Sequence, residues 1–92
     1  MTEQQIQSKM IKYIVSRGGY VVNGNYSRAG IPDLICCYNG RFVAIEVKKP
    51  ETKKNLSKLQ SYNINLINEL GGVATMCYNI DMVEKLLDSL DG

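Results

Sequence analysis

Apolar positions along the chain switch between two periods. Ile6, Met10, Tyr13 and Ile14 recur at helical spacing behind Thr2 and Gln5, whose separation matches a capping box, and the predicted helix runs until Gly18-Gly19 stop it. "YVV" at 20–22 predicts a short strand, and a polar loop, "NGNYSRAG", then leads to Pro32. Tyr26 and Arg28 in that loop are residue types that contact ligands, although most such loops merely connect. Pro32 is tolerated at the start of a strand and pushes Ile31 toward an extended conformation. Asp33 to Tyr38 then predicts a strand, Asn39-Gly40 a tight hairpin turn, and Arg41 to Lys48 the returning strand, which Pro50 ends.

Ser57 with Gln60 repeats the capping-box spacing and starts a second helix, whose Leu59, Leu66, Ile67 and Leu70 lead to Gly71-Gly72. "VATMCY" at 73–78 predicts a buried strand. From about Asp81 a last amphipathic helix places Met82, Val83, Leu86, Leu87 and Leu90 on one side. The order α-β-β-β-α-β-α favours an α/β (α+β) fold with a small mixed sheet flanked by helices.

With 92 residues the chain makes a single domain, residues 1–92, with room for one core and one site. Its 45% hydrophobic and 22% charged residues exclude a disordered composition. The apolar runs are too short for a membrane span and "MTEQQIQSK" does not resemble a signal peptide, so a soluble, cytoplasmic protein is expected. Three cysteines, two of them adjacent, make a poor disulfide framework. Cys36 and Cys37 would also point to opposite faces of a strand, which suits buried thiols better than a zinc chelate.

Histidine is absent, which removes imidazole metal sites and every nucleophile system built on a His base. Catalysis would have to rely on carboxylates, Lys, Tyr or a metal. The net charge of +2 conceals an asymmetry, because residues 1–58 carry +6 and residues 59–92 carry −4. The basic residues gather around the hairpin and "KKPETKKNLSK", a segment that reads either as a solvated loop or as a surface for a polyanion.

A two-residue turn at Asn39-Gly40 pairs Tyr38 with Arg41, so paired positions sum to 79, and Asp33 with Glu46 satisfy the same sum. Without a bulge their Cβ atoms lie about 4.5 to 5.5 Å apart on one face. Like charges so placed repel, and burial increases the cost. Lys48, two residues beyond Glu46, shares that face while Val43, Ile45 and Val47 take the other. One lysine can form a structural salt bridge but does not satisfy the lone pairs of two carboxylates, whereas a divalent cation with water ligands does. Hard oxygen donors favour Mg²⁺ or Mn²⁺ over zinc. Glu3 falls on the buried stripe of the first helix, where it either reaches the site or interacts with the helix N-terminus for about 0.3 to 1 kcal/mol. Gln60 shares a stripe with Ile64 and Ile67 and is either a site residue or only the far member of its capping box.

Pro32-Asp33, a spacing of thirteen, then Glu46-Val47-Lys48 resembles the PD-(D/E)XK nuclease superfamily. With Glu3, "GIPDLI", "AIEVKKP" and "LSKLQ" in order, the resemblance is closest to the virus-type replication-repair nuclease (VRR-NUC) domain and covers Glu3 to about Tyr78. The resemblance implies metal-dependent hydrolysis of DNA phosphodiesters. It places Mg²⁺ or Mn²⁺ on Asp33, Glu46 and the backbone carbonyl of Val47, with Glu3 acting through water or on a second ion. Lys48 would orient or deprotonate the attacking water and Gln60 would support the site. The basic segments, Arg28, Lys49, Lys53, Lys54 and Lys58, would track the DNA backbone. Stand-alone members look like homodimers on branched DNA such as four-way junctions, which makes a dimeric junction-resolving endonuclease the expectation. Cleavage of flaps, single strands or plain duplex, a non-catalytic DNA-binding module and a purely structural domain are the competing readings.

Overall fold

The structure, a computed structural model, describes residues 1–24 and 28–92. Tyr26, proposed above as a ligand contact, lies outside the described residues. The elements follow the expected order: α1 (Glu3–Ser16), β1 (Tyr20–Asn23), β2 (Leu34–Tyr38), β3 (Arg41–Val47), a short 3-10 helix (Pro50–Thr52), α2 (Lys58–Glu69), β4 (Val73–Cys77) and α3 (Ile80–Leu90). Both capping boxes form, Thr2 with Gln5 and Ser57 with Gln60, each satisfying donors that a helix start leaves unpaired.

The four strands form one mixed sheet in the order β1-β2-β3-β4, antiparallel except for the parallel β3–β4 pair that α2 connects. Asn39 at φ 50° and Gly40 at φ 77° provide the two left-handed residues that a two-residue hairpin turn requires. The register follows, with Leu34 opposite Ile45 and Tyr38 opposite Arg41, so no bulge intervenes. Within the hairpin two boundaries move by one residue. Pro32 has no N–H to offer the ladder, so β2 begins at Leu34 and Asp33 stands just before it, while Lys48 stands just after β3.

On one face of the sheet, Leu34, Cys36, Val43, Ile45, Val47 and Cys77 form a core with Ile6, Met10 and Ile14 of α1 and Val83 and Leu87 of α3. On the other face α2 lies over β3 and β4, above the paired small residues Ala44 and Ala74. Asn68 of α2 donates to the Ala74 carbonyl at 2.9 Å and accepts from its N–H at 2.8 Å, stapling the helix to β4. Because α2 covers only that half of the sheet, its apolar stripe is less buried than its periodicity suggests. Leu59 and Leu70 are exposed, as are Tyr20, Val22 and Phe42 on the uncovered half.

Cys36 and Cys77 are buried, and burial pushes both thiols up to about 12, which keeps them neutral and unreactive. Cys37 departs from the expectation of burial; it points out on the opposite face. The hairpin's turn end is held by a clasp that the sequence does not announce. Arg17 donates to Asp88 at 2.8 Å and to Asp91 at 2.7 Å, and the Tyr38 hydroxyl donates to Asp91 at 2.6 Å. Among the described residues no helix is long and apolar enough to cross a membrane.

Candidate active site

The opposite end of the same hairpin gathers the ionisable groups. β3 is one of two interior strands, and its residues 43–47 are buried on both sides of the sheet, so Glu46 is a carboxylate with only 3% of its surface exposed. Asp33 lies opposite it on the neighbouring chain segment, close enough for the two carboxyls to interact. The Asp33 carboxylate is itself anchored, since its Oδ2 accepts from the Val47 N–H at 2.8 Å. Beyond Leu34 and Ile45 the next ladder bond on this side would involve Pro32, and the Asp33 side chain takes up the Val47 N–H there.

Gln60 fills both roles that its position allows. Its Oε1 accepts from the Ser57 N–H at 2.9 Å, closing the capping box, while its Nε2 donates to Glu46 Oε2 at 3.1 Å. The start of α2 thus fixes which end of the amide faces the carboxylate. Asp33, Glu46, Lys48 and Gln60 converge, and Glu3, in the first turn of α1, adds its charge at longer range.

The electrostatics follow from this arrangement. The Glu46 carboxyl is pushed from an ordinary value of 4.5 up to about 8, first by burial, then by the hydrogen bond and negative charge of Asp33; Glu3 adds to the rise and Lys48 opposes it. Near neutral pH the Glu46 carboxyl is therefore favoured in its protonated form, and the charge of Lys48 does not offset the cost of ionising it. A donor set of hard oxygens with surplus negative charge suits a divalent cation that displaces that proton. Among the described residues, no group of three or more His, Cys, Asp or Glu side chains gathers closely enough to hold a metal ion. Coordination here would rest on Asp33, Glu46, the Val47 carbonyl and water, the sparse protein ligation that Mg²⁺ accepts.

The basic residues occupy segments continuous with these acids. Arg28 is exposed in the loop that leads to Asp33; Lys54 and Lys58 are exposed and Lys49 half-buried in the stretch after Lys48. Lys53 is committed in part to Tyr78, with Nζ 4.8 Å from the ring centroid.

Two buried polar residues escape the sequence pattern. Gln7 is buried on α1 one turn after Glu3, and Asn63 is buried on α2 one turn after Gln60, where it donates to the Leu59 carbonyl at 2.9 Å. Their signal was a polar side chain on an otherwise apolar stripe. Asn68, on the same helix, had none. Gly30 also shapes the approach to the site: at φ +84° it sits so close to α2 that an added Cβ would lie 2.4 Å from Leu59 Cγ. This contact brings the chain onto α2 three residues before Asp33.

No family model, curated protein or solved structure matches the chain. The functional reading rests on the residues and their arrangement.

Proposed function

We propose that the protein is a metal-dependent DNA endonuclease of the PD-(D/E)XK type, VRR-NUC-like, acting as a homodimer on branched DNA. The observation that carries this reading is the buried Glu46 carboxyl, held against Asp33 and hydrogen-bonded by Gln60, with Lys48 beside it. A domain with no ligand to hold would gain stability from apolar residues at these positions of an interior strand.

In this reading Asp33, Glu46 and the Val47 carbonyl hold Mg²⁺ or Mn²⁺. The bound ion supplies positive charge against the phosphate oxygens as negative charge builds there, and lowers the pKa of an attacking water. Val47 N–H fixes Asp33, and Gln60 fixes Glu46, so that both carboxylates present their remaining oxygens without reorganising. Lys48 orients the water or takes its proton, and stabilises the developing charge. Arg28, Lys49, Lys54 and Lys58 contact DNA phosphates without reading sequence, with Lys53 contributing from its place over Tyr78.

The dimer is supported by the uncovered half of the sheet. Tyr20 at 68% and Phe42 at 49% exposure lie in one cross-strand row with Cys37, and Val22 at 41% lies in the next, an apolar surface beside an open β1 edge. Two copies also supply the two sites needed to cut two strands symmetrically.

The test is incubation of the protein with labelled four-way junction, flap, single-stranded and duplex DNA in Mg²⁺, Mn²⁺ or EDTA, beside Glu46→Ala and Lys48→Ala proteins. Metal-dependent cutting, strongest on the junction and lost in both variants, is expected. Cutting that survives EDTA or either substitution refutes the mechanism, and binding without cutting in every case makes the protein a DNA-binding module.

A further inference from the structure

The nuclease reading uses the carboxylates and the lysines but leaves unexplained a cavity at the same end of the sheet. It has a volume of about 370 Å³, near the lower end of the range for small-molecule sites, about 300 to 1,000 Å³. Its walls are mainly apolar, with Ile6 of α1, Pro50, Tyr78 and Ile80, while Lys9, Glu51 and Asn79 bring polar atoms to it.

Each wall continues an element of the site. Ile6 stands one turn after Glu3 on α1, and Pro50 stands two residues after Lys48. Tyr78 follows Cys77, which pairs with Val47, and the Lys48 N–H donates to the Cys77 carbonyl at 3.1 Å. The cavity and the carboxylate pair therefore share the strand end at residues 47–48. Lys9 lines the cavity with one acid, Glu51, and Lys48 and Lys53 lie in the segment that runs from the strand end past Pro50, so cations flank the cavity as well as the carboxylate pair, where a phosphate backbone would run.

We propose that this cavity receives one unstacked nucleobase of the DNA, from a nucleotide adjacent to the phosphate at the carboxylate pair. The inference rests on the nuclease reading and specifies its substrate. A nucleobase is the flat, weakly polar part of a nucleic acid, and its faces become available to a protein only when it leaves the stack. Extruding a base costs least where pairing is already broken, at branch points, mismatches and single strands. An apolar cavity beside a phosphate site thereby selects distorted DNA without reading its sequence.

The experiment uses the DNA form that is cut best, with each nucleotide within two positions of the cleaved bond replaced in turn by an abasic spacer that keeps the phosphates. One position is expected to lower kcat/KM by about tenfold, within the range of a lost base–aromatic contact, and its neighbours to change it little. Ile80→Trp, which fills the cavity, should give a similar loss on natural DNA and no further loss on the abasic substrate. The melting temperature of that variant shows whether it is folded, and the abasic series stands without it. Equal cleavage at every spacer position, or losses that multiply when the two changes are combined, overturns the proposal. Should no DNA be cut, the nuclease reading fails by itself; the affinity of the Glu46→Gln protein for natural and abasic strands in EDTA then decides, and equal affinities overturn the base site.

Discussion

Gln60 Nε2 lies 3.1 Å from Glu46 Oε2 while Gln60 Oε1 accepts from the Ser57 N–H at 2.9 Å. One amide thus starts a helix and orients a buried carboxyl, two tasks that the sequence alone presents as alternatives. The start of α2 is part of the site for this reason, and its capping residues have consequences for chemistry.

Ser57→Ala and Gln60→Ala both break the capping box, and each should destabilise the fold by about 1 kcal/mol. Their activities should separate. Ser57→Ala leaves the Glu46 bond in place and should keep most of the cleavage rate, whereas Gln60→Ala removes the partner of a buried carboxyl and should lower kcat about tenfold or more. Thermal melts and single-turnover cleavage at saturating Mg²⁺ check this; equal activity in the two variants would reduce Gln60 to a cap.

The hairpin was legible because its determinants are local. Asn39-Gly40 sets the turn, the turn sets the register, and the register places Asp33 against Glu46 by counting alone. Element order was legible through the capping pairs and glycine stops. What was not legible depends on contacts between segments far apart in sequence. Arg17 meets Asp88 and Asp91 across more than seventy residues, and Asn68 reaches Ala74 only because α2 lies along β4. The exposure of Leu59 and Leu70 escaped the helical period, since periodicity reports an apolar face without telling how wide a sheet it will find.

Glu46 makes stability depend on pH with a definite sign. A carboxyl at about 8 in the folded protein and near 4.5 when unfolded is protonated in both states at low pH, so its contribution is fully present below the unfolded value. Between those values the unfolded chain ionises first, and stability falls as pH rises until both states are ionised above about 8. The loss is on the order of a few kcal/mol. Denaturant melts of metal-free protein from pH 4 to 9 should show this decline, and Glu46→Gln should flatten it and exceed the wild type in stability at pH 8. Added Mg²⁺ should restore the wild type at the same pH, because a bound cation replaces the proton.

Asp33 and Lys48 should fail in different ways. Asp33→Asn keeps an oxygen for the Val47 N–H but removes a charge from the proposed cation site, so the Mg²⁺ concentration giving half-maximal cleavage should rise by about tenfold. Lys48→Ala should leave that concentration nearly unchanged, since removing a neighbouring positive charge does not weaken cation binding. Its kcat should fall by about a hundredfold or more, the usual range for a lost proton-transfer or charge-stabilising group. Metal titrations of initial cleavage rates separate the two. A Lys48→Ala enzyme whose full rate returns at high Mg²⁺ would assign that lysine to the structure of the site rather than to the reaction.

Gly30 couples the fold to the site most directly. Its φ of +84° is costly for any residue with a Cβ, and that atom would also meet Leu59 Cγ at 2.4 Å and Asn63 Nδ2 at 2.9 Å. Gly30→Ala should therefore destabilise the protein by about 2 kcal/mol or more, from backbone strain and overpacking together. The clash is with side chains, so shortening Leu59 should relieve that part and leave the strain. Gly30→Ala/Leu59→Ala should accordingly be less destabilised than the sum of its single variants, by an amount that chemical denaturation reads as a coupling energy. Cleavage should recover only in part, because the chain into Pro32 and Asp33 still has to pass through a conformation that alanine resists. Strict additivity would mean that the loop at Gly30 moves away from α2 without cost, and that Asp33 is placed by the Val47 N–H alone.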